Sequence, residues 1–553
     1  MQFLLLFISI LPFFEIRDTI YSYAISGRIY SNFQIPFNYA IKSFTFSNKP
    51  VFSNLLIFEG YNISSPSISG TSPEENLLLF DGIPLINPML GYQELSMIPK
   101  SFIEMLEILH SSSPLNGLAG IGGAINLIPS NEPLKLQFSS LRKAINLGSG
   151  HNKGFTLTFF YESFVDSFPV KYEDIDLWIK NTHDEKFGLF SKFQNGNILF
   201  IKRKAGAPGP LGSLSKGERY EFLTGTNFNF LLKNLNLELS STYTSQTYNS
   251  SGISDLHKTL FLRGVIKGRN LEAGTHVYGA NSTKIGKRII SEVFGKILFT
   301  RKLNKKCELL ATLNLNYNYT FKAISPNIAI SLSNKINYNL YNFLTISLNH
   351  RNPTLNELYW PEDNFARGNP ELTPESSLNL DAGLRKITPN YYINLYSFLK
   401  KIKDGILWIQ EDKYLPKNFA LLVHQGAGLE AVLKPGKGPF YVEFDLNLQK
   451  SRLNETPFLY RPTLTLNSTI GVGIVNVEVS YIGKRPERVN SPKMLPPIYL
   501  INLSISKNVV FGDKELFVRG GTENLLDINY EIIRGFPNPG REIFFEITIK
   551  RRT

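Results

Sequence analysis

Val442-Glu443-Phe444-Asp445-Leu446-Asn447-Leu448-Gln449 alternates strictly between an apolar and a polar side chain. Side chains alternate across a β-strand, so these residues put every apolar group on one face and every polar group on the other. A strand divided in this way separates two media. In a soluble sandwich its apolar face meets a second sheet; in a membrane barrel it meets lipid, and the polar face lines the lumen. The same period of two runs through residues 155–162, 235–243 and 313–321. From 134 onward we read about 22 such segments, roughly 19 residues each with their connections, matching membrane strands of about 9–11 residues plus turns. Antiparallel closure calls for an even number and leaves no unsatisfied edge in lipid. A lumen of that width requires a plug.

Composition points the same way. Hydrophobic residues make up 42% of the 553, charged residues only 19% and aromatics 13%, yet no apolar run of transmembrane-helix length occurs. The net charge of +13 is spread along the chain without a nucleic-acid motif, so nucleic acid is not an expected partner. Such an excess suits a protein among lipid phosphates or one that attracts anionic ligands. The single cysteine, Cys307, rules out an intrachain disulfide and any multi-cysteine metal site.

Ahead of the barrel segments the pattern differs. The apolar run from Phe3 to Phe14 has the length of a signal-peptide core, and residues 1–17 are read as a signal peptide. Residues 28–131 are read as a compact α+β domain with short strands such as Leu55–Phe58 and Leu77–Phe80. Their expected turns are Ser64–Ser67 and Gly70–Pro73. Ile98, Phe102, Met105, Leu106 and Leu109 recur at helix-like spacing, which predicts a helix over 96–109. A domain of this size before a barrel that needs filling is expected to sit in the lumen, held mostly by polar contacts with the Asn-, Ser- and Glu-rich inner face. The expected architecture is therefore a membrane all-β protein, a barrel of about 22 strands over 132–553 with an N-terminal plug over 28–131.

Three separated regions resemble the TonB-dependent receptors of the Gram-negative outer membrane. In the plug these are Leu78–Leu85 with Asp81 and Gly82, Ile103–Leu109 with Glu104 and Glu107, and Gly120–Asn126 with Gly120, Gly122, Gly123 and Asn126. The second region runs from Arg351 to Ser376 and carries Asn352, Pro353, Glu357, Tyr359, Gly368, Asn369, Pro370, Pro374 and Glu375. The third carries Asn524, Tyr530, Gly540 and Arg541. Where the family has Arg-Gly-Pro after the second plug motif, this chain has His110-Ser111-Ser112. Asp18-Thr19-Ile20-Tyr21-Ser22 resembles the energy-coupling box, within a segment 18–27. The resemblance implies a monomer that takes up a scarce, bulky nutrient, cobalamin or a ferric siderophore or haem. It also implies a TonB-type inner-membrane energy-transducing complex as partner and outer-membrane lipid as surroundings. A passive porin or adhesion barrel is the alternative from composition alone, and the plug motifs speak against it.

The sequence carries no HExxH, GxSxG or P-loop motif, and no catalytic residue or cofactor is expected. Gly120, Gly122 and Gly123 lack the Lys-Ser/Thr that would make a phosphate cradle, so close packing or positive φ is the expected reason for them. Glu173, Asp174 and Asp176 offer carboxylates of the kind Ca²⁺ takes, although a solvated loop is the simpler reading. Tyr359 and Trp360 fit either an interfacial aromatic girdle or a loop facing the ligand.

Overall fold

The computed structural model describes residues 39–43, 51–52, 55–60, 62–109, 118, 120–149, 154–172, 175–211, 215–337, 339–388, 390–419, 421–434, 440–488 and 493–551. Among these residues, 22 antiparallel strands form one closed barrel, from Leu134–Ser139 to Glu542–Arg551. Closure comes from the last strand pairing with the first, Phe545 opposite Phe138 and Ile549 opposite Leu134. A two-residue strand, Thr456–Pro457, is appended to one of the hairpins. The alternation of the sequence is the alternation of the wall. Leu448 is 52% exposed on the outside and Asn447 2% on the inside. Phe159 and Phe160 divide in the same way, 51% against 3%. The outer face is thus an apolar band, the form a sheet takes when its outer solvent is hydrocarbon.

The two rims differ. On one, strands are joined by tight turns such as residues 194–195, 233–234, 268–270, 473–474 and 512–513. On the other lie the long connections 165–183, 352–374, 404–421, 483–497 and 524–541. Some of these fold locally: Ser167–Tyr172 pairs with Ile175–Lys180, and Gly405–Gln410 with Tyr414–Phe419.

The plug is built on a five-stranded sheet in the order Tyr39–Ser43, Ile103–Leu109, Gly123–Pro129, Asn76–Phe80, Ile83–Pro84. Asn76–Phe80 and Gly123–Pro129 run parallel; the other pairs are antiparallel. The helix expected over 96–109 is absent. Two short 3-10 turns, Leu95–Met97 and Lys100–Phe102, lead into the strand Ile103–Leu109. That strand is central in the sheet and buried on both faces from Leu106 to Leu109. A doubly buried strand reads as a near-continuous apolar run, which periodicity does not distinguish from a buried helix. Likewise Ser64–Ser67, expected as a turn, lies within the strand Ile63–Ile68, paired with Leu55–Gly60. The actual turn follows at Ser69 and Gly70, both with positive φ.

Candidate functional site between plug and barrel

Asp81 and Gly82 form the two-residue turn between Asn76–Phe80 and Ile83–Pro84, with φ of 44° and 87°. Two successive positive φ values make the hairpin turn for which Asp-Gly is favoured. The turn also faces the wall. Asp81 accepts from Lys192 Nζ at 2.7 Å, and its carbonyl accepts from Asn197 Nδ2 at 2.7 Å. Behind it the Gly82 N–H donates to Asn126 Oδ1 at 3.0 Å, and Asn126 Nδ2 donates to Glu107 at 2.6 Å. Three of the motif residues are therefore one buried polar chain under the turn, whereas Glu104 points outward and is exposed.

The glycine run packs against the opposite wall. Lys400 Nζ donates to the Gly122 carbonyl at 3.0 Å and Asn379 Nδ2 to the Ile121 carbonyl at 3.1 Å. A Cβ on Gly122 would overlap Asn76 Oδ1 and Thr71 Oγ1, and Gly123 has φ of 140°. Close approach and backbone conformation account for these glycines; the run is not a phosphate cradle.

The second motif is a charged knot on the long-loop rim. Arg351, at the end of Leu340–Arg351, makes paired hydrogen bonds with Glu357 at 3.0 and 3.2 Å and with Glu375 at 2.9 and 2.7 Å. Glu357 also closes a capping box with Thr354 on the helix Leu355–Tyr359, and Glu375 accepts from the Ile406 N–H at 2.6 Å. One guanidinium thus ties together two strands, a helix and a hairpin, the bidentate geometry for which arginine is suited. The plug reaches this knot directly: the Pro88 and Met89 carbonyls accept from the N–H groups of Leu355 and Asn356, both at 3.1 Å. Half-buried Glu74 lies nearby, its carboxyl pushed up to about 7 by burial, with Arg351 opposing the rise. Glu75 is raised well above the ordinary range by burial and by the negative charges of Glu375 and Glu74. The Asn352 amide donates to Glu292 at 2.7 Å, the Gly368 N–H to Trp360 O, and the Asn369 N–H to Glu357 O. Pro353 precedes the helix, and Pro370 and Pro374 lie in the connection to Glu375–Ile387. Tyr359 is packed in the mouth, with the Arg288 guanidinium 4.3 Å from its ring centre, and is not part of a lipid-facing girdle.

The third motif is a corner before the last strand. Asn524, with φ of 48°, accepts from the Ile528 N–H and donates to the Ile528 carbonyl. Asp527 accepts from the Arg541 N–H at 2.7 Å, and a Cβ on Gly540 would press on the same carboxylate. Tyr530 is buried with Leu56 and Phe58 of the plug against Ile482, Ile498 and Leu500.

Other wall residues that hold the plug carry no recognisable motif. Arg203 Nη2 donates to the Asn62 carbonyl at 2.9 Å; Arg461 donates to Gly70 O at 2.7 Å and Thr71 O at 2.9 Å; Glu162 accepts from the Ser101 N–H at 3.0 Å. The expectation of a mostly polar seam needs correcting: Ile121 packs with Ile402 and Leu422 of the wall, and a further apolar cluster lies on the opposite side. There Phe80 and Phe102 of the plug pack on Phe160 and Phe190 of the wall, Phe102 and Phe160 stacked at 4.4 Å, with Leu199, Ile201 and Leu223 in the same cluster. A cavity of about 100 Å³ between plug and wall, lined in part by Lys100, Arg142, Glu162 and Lys186, has room for a few waters and not for a bulky solute.

Asp18–Ser22, His110–Ser112, Glu173 and Asp174 lie outside the described residues. Asp176 is exposed in the hairpin of 167–180, opposite Lys171 in register, a poor neighbour for a cation.

Residues 57–124 match the family described as TonB-dependent Receptor Plug Domain. The chain is 32% identical over 87 residues to the vitamin B12 transporter BtuB of Vibrio vulnificus, covering 15% of this chain. It is 25% identical over 207 residues to BtuB of Photobacterium profundum, covering 35%. The matched stretches span 14% and 33% of these curated relatives. Among solved structures, the siderophore receptor PirA from Acinetobacter baumannii superposes with a TM-score of 0.72 at 13% identity, covering 93% of this chain and 98% of that one. The copper transporter OprC gives 0.71 at 12% identity over 93% and 98%. At these identities the superpositions speak for the fold.

Proposed function

We propose, for a chain that belongs to the TonB-dependent receptor family and forms a Gram-negative outer-membrane barrel, that it is an energised uptake receptor for cobalamin. The observation that carries the transport reading is a folded plug bonded to the wall on several sides. Uptake then requires the plug to move. The long-loop rim faces outward, as long connections do in such barrels, and ligand binds there. A TonB-type complex engages Asp18–Ser22 from the periplasm. Load on that segment reaches the plug first at Tyr39–Ser43, an edge strand of five residues paired only with Ile103–Leu109 among the described strands. The plug–wall hydrogen bonds of Lys192, Lys400, Arg203 and Arg461 have a charged donor, each with a net worth of about 1.5–3 kcal/mol, because water replaces the partner as it leaves. The plug is therefore held firmly at rest and released stepwise under force.

Cobalamin is favoured over a ferric siderophore because the sequence matches are to vitamin B12 transporters. The test is binding and uptake of labelled cobalamin and of a ferric siderophore by cells carrying the full chain or a chain lacking residues 18–22. We expect saturable cobalamin binding by both chains and uptake by the full chain alone. Saturable binding of the siderophore instead would reassign the substrate, and uptake that ignores the deletion would remove the coupling role of 18–22.

A further inference from the structure

The short-turn rim carries an unusual run of charge. Three successive turns on it, residues 233–234, 268–270 and 303–306, read Lys-Asn, Gly-Arg-Asn and Leu-Asn-Lys-Lys, and contain no acid. Lys233, Arg269, Lys305 and Lys306 are all exposed, as is Arg301 at the end of the strand Gly286–Lys302. Directly above them the lipid-facing surface is not a smooth band. Along the outward row Val293, Gly295, Ile297 the middle position has no side chain, and a Cβ there would meet nothing within 4 Å. The result is an open groove walled by Leu235, Ile266, Leu271, Ile297 and Leu315, with Arg269 at its mouth. Lys296 and Glu272 border it from within, but they are buried and pair with each other across the inner face at 3.7 Å.

An apolar trough with Arg269 at its mouth and exposed lysines in the adjacent turns of the same rim, at the height where the hydrocarbon band ends, is complementary to one kind of molecule. Short turns face the periplasm, so the available lipid is a phospholipid of the inner leaflet. The geometry points to a bound anionic glycerophospholipid, one acyl chain laid over Gly295 and its phosphate between Arg269 and the lysines of the neighbouring turn. A zwitterionic lipid fits the same trough but gains less, since each basic residue near an anionic surface is worth about 1 kcal/mol, or about fivefold. A second copy of the chain is disfavoured as occupant because the cations would face their own kind across the contact.

The test is native mass spectrometry of the full chain in detergent, titrated with dioleoylphosphatidylglycerol and dioleoylphosphatidylcholine. We expect phosphatidylglycerol to be retained preferentially. The triple variant Arg269→Ala, Lys305→Ala, Lys306→Ala is expected to lose that preference by about fivefold per charge. Gly295→Leu, which fills the trough from the lipid side, is expected to weaken retention of both lipids. Circular dichroism confirms that each variant keeps its barrel. Equal retention of the two lipids by the unaltered chain, or undiminished preference in the triple variant, would overturn the site. So would unaltered binding by Gly295→Leu, or a dimer that this substitution dissolves.

Discussion

At the residue scale, Arg351 decides whether the long-loop rim keeps its shape. Its guanidinium answers two buried carboxylates, and removing it leaves both unpaired, a change that costs on the order of 3–5 kcal/mol. Arg351→Ala should therefore loosen the connection 352–374 and the hairpin 405–419 together, seen as faster amide exchange at both. Arg351→Lys should restore little, since an ammonium does not bond two carboxylates bidentately. Glu74 makes a pH prediction. Its folded value, about 7, lies above the ordinary carboxylate value, so its contribution is fully present below pH 4.5 and is lost as pH rises through 7. Thermal stability of the plug should fall over that window, by on the order of 1–2 kcal/mol after discounting for partial exposure. Glu74→Gln should flatten the slope and stabilise the plug at pH 8.

At the scale of elements, the plug is held by unlike seams. One joins turns and wall by charged and amide groups, as at Asp81–Lys192 and Gly122–Lys400. Others are apolar, the aromatic stack of Phe102 on Phe160 among them. Phe102→Ala should destabilise plug docking by about 3–5 kcal/mol, read as protease sensitivity of the plug with the barrel intact. A polar change such as Asn379→Ala should cost about 1 kcal/mol. The barrel strands were legible in the sequence because their two faces meet different media, so alternation at Val442–Gln449 carries straight to the wall. The plug strand Ile103–Leu109 was not, because both of its faces are buried and no alternation survives. The partners of the plug, Lys192, Asn197, Asn379, Lys400 and Arg461, were equally hidden. Each is one polar position among many, and only closure of the barrel brings it to residues more than a hundred positions away. The motif residues Asp81, Glu357 and Glu375 stood out in the sequence, but as family-like strings; their work as a turn contact and a charged knot became visible only in three dimensions.

At the scale of the molecule, the chain is a wide barrel closed from within. The wall is fixed by a complete ring of strand pairing, while the plug rests on local polar bonds and several apolar clusters. That division lets one part move without opening the other. The glycine-rich stretch serves as packing against the wall, and under the proposed function the capacity to transport lies in the contact between the two parts. The most direct test is conductance of the full chain in a planar lipid bilayer, compared with the barrel lacking residues 28–131. The account predicts that the full chain stays closed and that the barrel alone conducts as a wide pore. Steady wide-pore conductance by the full chain would contradict it, since the plug would then not be the gate.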